Sequence, residues 1–233
     1  MIPVRDLLPT RRRPVLTWAL IALNAVVFVY ELVLEPDALE QLVHLWGLVP
    51  LRFVEALDGS DPQALLTPLS SMFLHGSWLH VIGNLWFLQV FGDNVEDDLG
   101  RGRYLLLYVA TGLAAVAAQM VADPTSKLPM VGASGAISGV LGAYLVLHPR
   151  ARVVTLVPIV IFFHLMELPA GVFVLVWFAM QLVNAFGVLG GAGGGGVAWF
   201  AHLGGFLAGL VLAYALLPRQ RAKKPAPRRA SSR

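Results

Sequence analysis

The sequence predicts an all-α membrane protein that crosses the bilayer six times and has both termini in the cytoplasm. The composition indicates lipid as the solvent, because 57% of the 233 residues are hydrophobic and 13% are charged, whereas about 25% of residues are charged in a soluble domain. The placement of charge gives the orientation. With six crossings, every lysine and arginine except Arg52 and Lys127 falls on one side, which the positive-inside rule assigns to the cytoplasm.

The predicted organisation has three parts: a basic cytoplasmic N-terminus over residues 1–14, a membrane domain over 15–217, and a basic disordered tail over 218–233. Basic tails beside a hydrophobic span are typically bound to anionic headgroups. The expected partner is therefore the lipid bilayer and not nucleic acid. The chain has no cysteine, which excludes disulfides and thiolate nucleophiles.

The first predicted span is Val15–Leu34, a mostly apolar run long enough for a hydrocarbon core of about 30 Å. Glu31 lies near the end of this run and is interpreted as an interfacial carboxylate. The interval Glu35–Ser77 mixes acidic and large apolar residues, which favours a partly membrane-embedded excursion over a free linker.

The second span is predicted over Trp78–Phe91, a helix that carries polar groups among its apolar residues. The segment Gly92–Arg103 is rich in charge and contains glycines, so it is predicted to be a solvent-exposed loop. Tyr104–Val121 is the third span and ends at Asp123-Pro124.

The remaining spans are predicted over Ser134–Leu147, Pro169–Leu189 and Val197–Leu217. The glycine-rich connection Gly190–Gly196 is expected to be flexible and is either a mobile cap or a passive connector. Val153–Leu165 is apolar but short, and contains a proline. It either lies in the membrane interface or forms a seventh span; the charge distribution favours the interface.

The span Ser134–Leu147 is short for a transmembrane helix. Its length corresponds to about 21 Å at 1.5 Å per residue, and its inner end is set by Pro149-Arg150. Ser134 is therefore expected roughly 10 Å below the outer surface. Irregular backbone at that depth requires a protein-lined or water-filled cavity, so the sequence predicts a wet pocket open to the outside.

Three more polar residues are predicted in the same layer as Ser134. His202 begins the last span, and His80 and Asn84 are one turn apart near the outer end of the second span. A histidine near a serine hydroxyl is a potential general base. The Ser134 backbone N–H, the His80 imidazole and the Asn84 amide are candidate donors to an oxyanion.

Two faces of small residues predict close packing of the fourth and sixth spans, since small residues let helix backbones approach in lipid. Such packing is a physical requirement for a serine and a histidine to meet at about 3 Å. The two faces are Gly135, Gly139 and Ala143 on the fourth span, and Ala201, Gly205 and Gly209 on the sixth.

From about Leu66 to Leu210 the chain resembles the rhomboid intramembrane serine proteases of bacteria. Three motifs carry the resemblance: GASGA with Gly132 and Ser134, HGSWLHVIGN with His80 and Asn84, and Ala201-His202 followed by GGFLAG. Together they are specific to this family. The family's Trp-Arg motif in the first long loop is absent, and only Leu51-Arg52 is similar to it.

The resemblance implies a Ser134–His202 dyad without a third carboxylate, with His80, Asn84, Gly132 and the Ser134 backbone around the oxyanion. It implies cleavage of single-pass membrane proteins near the outer face, no cofactor and no metal. We further hypothesise lateral entry of the substrate between the second and fifth spans, past Phe173 and Trp177. The expected location is the inner (cell) membrane, as a multi-pass protein.

Two functions other than a protease are compatible with a polytopic helical chain. Intact Ser134 and His202 argue against a catalytically silent rhomboid-like protein that binds membrane-protein clients, and polar residues gathered in the outer third argue against a small transporter. HExxH, which a metalloprotease requires, is absent. Among the other polar residues, His75 is interpreted as structural and is also a candidate for lining the cavity, and Ser138 is interpreted as a packing residue. Interhelical hydrogen bonds are predicted for Gln89, Gln119 and Gln181.

Overall fold

The computed structural model describes residues 1–159, 162–189 and 198–217. Within these ranges the chain is mostly helical. The helices are α1 (Val15–Leu32), α2 (Pro36–Trp46), α3 (Pro50–Glu55), α4 (Thr67–Ser70), α5 (Trp78–Leu99), α6 (Arg101–Ala122), α7 (Ser134–Leu147), α8 (Ala170–Leu189) and α9 (Trp199–Leu216), and the strands are β1 (Ile2–Asp6), β2 (Arg152–Ile159) and β3 (Phe162–Pro169). The predicted cap Gly190–Gly196 and the predicted tail 218–233 lie outside the described residues.

Several helices are apolar enough for a multi-pass membrane protein. By length and composition, α1, α6 and α9 are candidate membrane spans, and Ser134–Leu147 and Ala170–Ala185 are shorter apolar helices. The apolar residues of α1 and α6 that face away from the helix bundle, such as Val26 and Leu106, are exposed. Lipid is the solvent that such surfaces require.

Helix α7 lies at the centre of the bundle and has the bounds that the sequence predicts, Ser134–Leu147. All of its residues from Gly135 to Tyr144 are buried. The buried polar group Thr111 of α6 donates a hydrogen bond to the Ala136 carbonyl oxygen at 3.3 Å. A central helix without an exposed face is consistent with its small residues, because they let neighbouring helices approach on every side.

The predicted solvent-exposed loop at Gly92–Arg103 is wrong. Helix α5 continues to Leu99, and α6 begins at Arg101 after Gly100, whose φ of 76° reverses the chain. The acidic residues are helical because they face the start of α1. Buried Glu96 accepts hydrogen bonds from the backbone N–H groups of Leu16 and Thr17, at 3.1 and 2.8 Å, and a carboxylate is favourable at a helix N-terminus.

The prediction of an all-α fold is also wrong in one part, because β1, β2 and β3 form an antiparallel sheet in that order. The described residues of the run Val153–Leu165 lie in the paired antiparallel strands β2 and β3 and not in a helix. Pairing runs from Arg152↔Pro169 to Ile159↔Phe162. β-branched residues such as Val153, Val154 and Thr155 favour strands, and Pro158 disfavours a helix interior.

The N-terminal segment contributes the first strand of this sheet, which the sequence analysis did not predict. β1 pairs with β2, with Asp6 opposite Val153. The Asp6 carboxylate accepts hydrogen bonds from Asn94 Nδ2 at 2.6 Å and from the Tyr144 hydroxyl at 2.7 Å. The N-terminal strand is therefore fixed to the C-terminal halves of α5 and α7.

The interval between α1 and α5 is folded. It contains α2, α3, α4 and short 3₁₀ turns. The Arg52 side chain donates to Asp61 Oδ2 at 2.8 Å and to the carbonyl oxygens of His44 and Leu45 at 2.8 and 3.0 Å. In this chain Arg52 thus ties the end of α2 to the turn that follows α3.

Candidate active site

Ser134 and His202 are in direct contact. Ser134 is the first residue of α7 and His202 lies in the first turn of α9. The His202 Nε2 and Ser134 Oγ atoms are 2.8 Å apart. Both residues are half-buried. The geometry is that of a nucleophile with an adjacent general base.

Glycine contacts bring α7 and α9 close enough for this pair. A Cβ added at Gly205 would overlap the Gly135 carbonyl oxygen, and one at Gly209 would overlap the Gly139 carbonyl oxygen. The added Cβ of Gly135 would lie 3.9 Å from the Ala201 carbonyl oxygen. The predicted small-residue faces therefore meet as backbone-to-backbone contacts.

The second nitrogen of His202 has a partner that was not among the predicted site residues. His202 Nδ1 is 2.8 Å from Oε1 of Gln181, a buried residue of α8. Two indole rings flank the imidazole, since the ring centroids of Trp177 and Trp199 lie 6.3 and 5.8 Å from that of His202. The sequence predicts an interhelical hydrogen bond for Gln181, and this contact between α8 and α9 confirms it, although His202 was not predicted as the partner. The spacing of Gln181, one turn from Trp177, was the available signal.

The predicted oxyanion residues His80 and Asn84 lie beside Gly132. Gly132 precedes Ser134 by two residues and has a φ of 122°, which L side chains rarely adopt. A Cβ at Gly132 would lie 2.6 Å from His80 Nε2 and 3.6 Å from Asn84 Nδ2. The absence of a side chain at Gly132 therefore leaves the space beside these two donors open.

Asn84 is held by His75, a residue predicted to be structural or to line the cavity. His75 Nε2 lies 3.0 Å from Asn84 Nδ2, and His75 Nδ1 lies 3.2 Å from the Phe73 carbonyl oxygen. His75 precedes α5, and burial, helped by nearby His80, lowers the pKa of His75 to about 4. The neutral ring donates from Nδ1 to Phe73 and accepts at Nε2 from Asn84.

Glu31, predicted to be a carboxylate at the membrane interface, is buried within the protein and bonded to it. It is 2% exposed, and it accepts the His75 backbone N–H at 3.0 and 3.2 Å with its two carboxylate oxygens. A chain of hydrogen bonds thus runs from Glu31 on α1 through His75 to Asn84 on α5. Helix α1 therefore contributes to the position of the candidate oxyanion donors.

The two candidate gate residues occupy different positions. Phe173 is 1% exposed, and its ring centroid lies 5.7 Å from that of Phe91 and 6.2 Å from that of Phe87. It therefore packs between α5 and α8. Trp177 lies one turn further along α8, beside His202 and Phe206. Both residues thus lie on the side of α8 that faces the bundle.

Ser138 lies one turn deeper than Ser134 and donates from Oγ to the Ser134 carbonyl oxygen at 2.6 Å. This is a local helix contact of the kind that serines make in apolar helices. Ser138 is thus bonded to the backbone and is not directed at His202.

A polytopic helical membrane protein with a serine–histidine pair at a helix N-terminus is the class that the fold and the site define. The family model described as the Rhomboid domain matches residues 62–219. The chain therefore belongs to the rhomboid family. The matched residues include Ser134, His202, His80 and Asn84.

Named relatives come from several organisms. The chain is 30% identical to RHOMBOID-like protein 5 of Arabidopsis thaliana over 65% of this chain and 44% of that protein. It is 30% identical to the putative rhomboid protease YdcA of Bacillus subtilis over 58% of this chain and 63% of that protein. It is 43% identical to the rhomboid protease GluP of Bacillus subtilis over 35% of this chain and 15% of that protein.

A mitochondrial relative is matched over more of this chain. Rhomboid protein 1, mitochondrial, of Saccharomyces cerevisiae is 27% identical over 84% of this chain and 51% of that protein. The chain thus spans about half the length of the relatives that it matches most extensively. Membership of the family is shared by bacterial, plant and mitochondrial proteins.

Proposed function

We propose that this chain is an intramembrane serine endopeptidase that cleaves single-pass membrane proteins within or near their transmembrane helices. The observation that carries the proposal is the 2.8 Å contact between Ser134 Oγ and His202 Nε2, inside an apolar helical bundle. A serine hydroxyl is a weak nucleophile until a base accepts its proton. In this site the base is already in hydrogen-bond contact with the nucleophile.

The reaction has two halves. In acylation, Ser134 Oγ attacks the scissile carbonyl carbon as His202 Nε2 takes the hydroxyl proton. Collapse of the tetrahedral intermediate breaks the C–N bond, and His202 returns the proton to the departing amine. In deacylation, His202 removes a proton from water, the hydroxide attacks the acyl-enzyme, and Ser134 leaves with the proton restored.

The donors around Gly132 would stabilise the oxyanion of each intermediate. Backbone N–H groups of the first helical turn have no intrahelical acceptor, so the Ser134 N–H at the start of α7 is suited to the role. His80 and Asn84 add side-chain donors on the other side of Gly132. Preorganised donors of this kind typically contribute about 2.7–4 kcal/mol each.

The proposed topology has six crossings, by α1, α5, α6, α7, α8 and α9. The C-terminal halves of α5 and α7 meet β1 through the two hydrogen bonds to Asp6, which supports an N-terminus on the side where those helices end. The positive-inside rule makes that side cytoplasmic. We place the protein in the inner (cell) membrane of a bacterium.

The substrate helix is proposed to enter between α5 and α8. The aromatic contact of Phe173 with Phe87 and Phe91 would close this route at the level of Phe173. Trp177, which is on α8 like Phe173, lies next to His202 of α9. An incoming helix would have to separate these rings and then unwind to present a carbonyl to Ser134.

The test uses purified protein in liposomes with a tagged single-pass substrate. Ser134→Ala is expected to lower the cleavage rate at least about 10³-fold, because it removes the nucleophile. Ser138→Ala is the matched control, since it removes a serine on the same helix that is bonded to backbone. A serine-reactive fluorophosphonate should label the parent and the control, but not Ser134→Ala.

Cleavage by Ser134→Ala at the parent rate would overturn the catalytic assignment. Absence of both cleavage and labelling in a folded parent protein would instead favour the silent client-binding alternative. The labelling arm separates these outcomes because it needs a reactive serine but no knowledge of the natural substrate.

A further inference from the structure

We propose that Gln181 is a positioning residue that holds His202 in the tautomer with its proton on Nδ1. The inference rests on the proposed protease function for its kinetic consequence, but the geometry behind it is independent. Gln181 Oε1 is 2.8 Å from His202 Nδ1, and Ser134 Oγ is 2.8 Å from His202 Nε2. Each ring nitrogen of His202 therefore has one polar partner.

The chemistry of these partners selects one tautomer. An amide oxygen has lone pairs and no hydrogen, so it can only accept. If the proton were on Nε2, the Nδ1 lone pair would face the Gln181 lone pairs at hydrogen-bond distance, which is repulsive. With the proton on Nδ1, both contacts are satisfied: Nδ1–H donates to Gln181, and Nε2 accepts from the Ser134 hydroxyl. Only this arrangement makes Nε2 a base.

The surroundings of His202 give Gln181 no substitute. In the ranges that the structure describes, the side-chain hydrogen-bond partners of His202 are Gln181 and Ser134. The flanking groups are the rings of Trp177 and Trp199, which offer no lone pair in the ring plane. A buried imidazole nitrogen without a partner is costly, so removal of the Gln181 amide frees the ring to rotate or to change tautomer.

The same contact remains favourable during the reaction. When His202 accepts the Ser134 proton, both nitrogens carry hydrogens, and the Nδ1–H···Oε1 bond becomes charge-assisted and stronger. Gln181 is neutral, so it orients the imidazole of His202 and stabilises the imidazolium only through the dipole of its amide. It belongs to α8 while His202 belongs to α9, and the orientation of the base therefore depends on the packing of these two helices.

The first test compares Gln181→Met with Gln181→Glu. Met has a similar length without the acceptor oxygen, and Glu retains an oxygen at the same position. Gln181→Met is expected to lower kcat about 10-fold or more, as for loss of one orienting hydrogen bond, with KM within about 2-fold because Gln181 is buried and its amide oxygen faces His202. Gln181→Glu is expected to restore most of kcat. Gln89→Met is the matched control on α5, at an exposed glutamine.

The second test observes the tautomer directly and needs no activity. Protein labelled with ¹⁵N-histidine is examined by NMR, and the His202 resonances are assigned by their loss in His202→Asn. The parent and Gln181→Glu are expected to carry the proton on Nδ1, and Gln181→Met to show a shift toward Nε2 or a mixture. Thermal unfolding of each variant confirms that it is folded.

The two readouts separate this inference from the proposed function. A parent protein with the Nε2–H tautomer, or a folded Gln181→Met variant that keeps the parent tautomer and kcat, overturns the role of Gln181. If the parent shows no serine-dependent cleavage, the protease proposal fails, and the NMR comparison still decides whether Gln181 sets the tautomer.

Discussion

Gly205→Ala is expected to separate α7 from α9 and to disconnect Ser134 from His202. The methyl group would overlap the Gly135 carbonyl oxygen and lie 2.9 Å from the Gly135 carbonyl carbon. Both are backbone atoms, so no side chain can turn away to relieve the overlap. The two helices must move apart by about 1 Å to restore an ordinary C···O contact near 3.3 Å.

This displacement acts directly on the candidate dyad. Gly135 follows Ser134, and Gly205 lies three residues after His202. Ser134 and His202 therefore move apart when the helices separate at the Gly135–Gly205 contact. Lengthening the 2.8 Å Ser134–His202 hydrogen bond by about 1 Å takes it beyond the range of a hydrogen bond. A misplacement of that size costs about 10²-fold in rate, and overpacking lowers the free energy of unfolding by about 1–3 kcal/mol.

The assay measures fluorophosphonate labelling and substrate cleavage in liposomes, with thermal unfolding in parallel. Gly102→Ala on α6 is the matched control, because a Cβ there meets nothing within 4 Å. Alanine is also a better helix former than glycine by about 1 kcal/mol, so this control should be at least as stable as the parent. A folded Gly205→Ala variant that labels within about 3-fold of the parent would refute the reasoning.

Two further changes test other parts of the chain. Gly132→Ala places a methyl 2.6 Å from His80 Nε2 at a φ of 122°. We expect at least about a 10-fold loss of cleavage, measured by kinetics, and a loss of about 1–3 kcal/mol in the free energy of unfolding, measured by thermal unfolding. Unchanged kinetics would contradict the need for open space beside His80. The Arg52 hydrogen bond holds the pKa of Asp61 below its ordinary value of 3.8. A carboxyl whose pKa is lowered on folding stabilises the protein above its unfolded pKa, and this stability is lost as the pH falls through its folded pKa. The difference in melting temperature between the parent and Asp61→Asn should therefore disappear below pH 3.8. A difference that does not change with pH would contradict this role of Asp61.

The sequence predicted the centre of the fold better than its edges. The bounds of α7 were correct because Pro129 and Gly132 precede Ser134 and a His-Pro stop follows Leu147, which are local signals. The close packing of α9 on α7 was also predicted correctly, because small residues at helical spacing let helix backbones approach each other in lipid.

The charged segment after the second span shows why the edges were harder. Its acidic residues are typical of a solvated loop, but Glu96 is 3% exposed. Its helical state depends on the N-terminus of α1, about eighty positions away in the sequence. No pattern within the segment specifies that partner. The same holds for β1, whose strand neighbour β2 is distant in sequence.

The polar residues that sequence reasoning set aside are the ones that orient the site. Glu31 fixes the backbone of His75, and His75 fixes the Asn84 amide, while Gln181 fixes His202. These supports come from α1 and α8, whereas the candidate catalytic pair comes from α7 and α9. Because a polar group in an apolar helix is costly unless it is bonded, each was a candidate for such a role. Helix α1 therefore acts as more than a membrane anchor, since its carboxylate is bonded to the residue that holds Asn84, a candidate oxyanion donor.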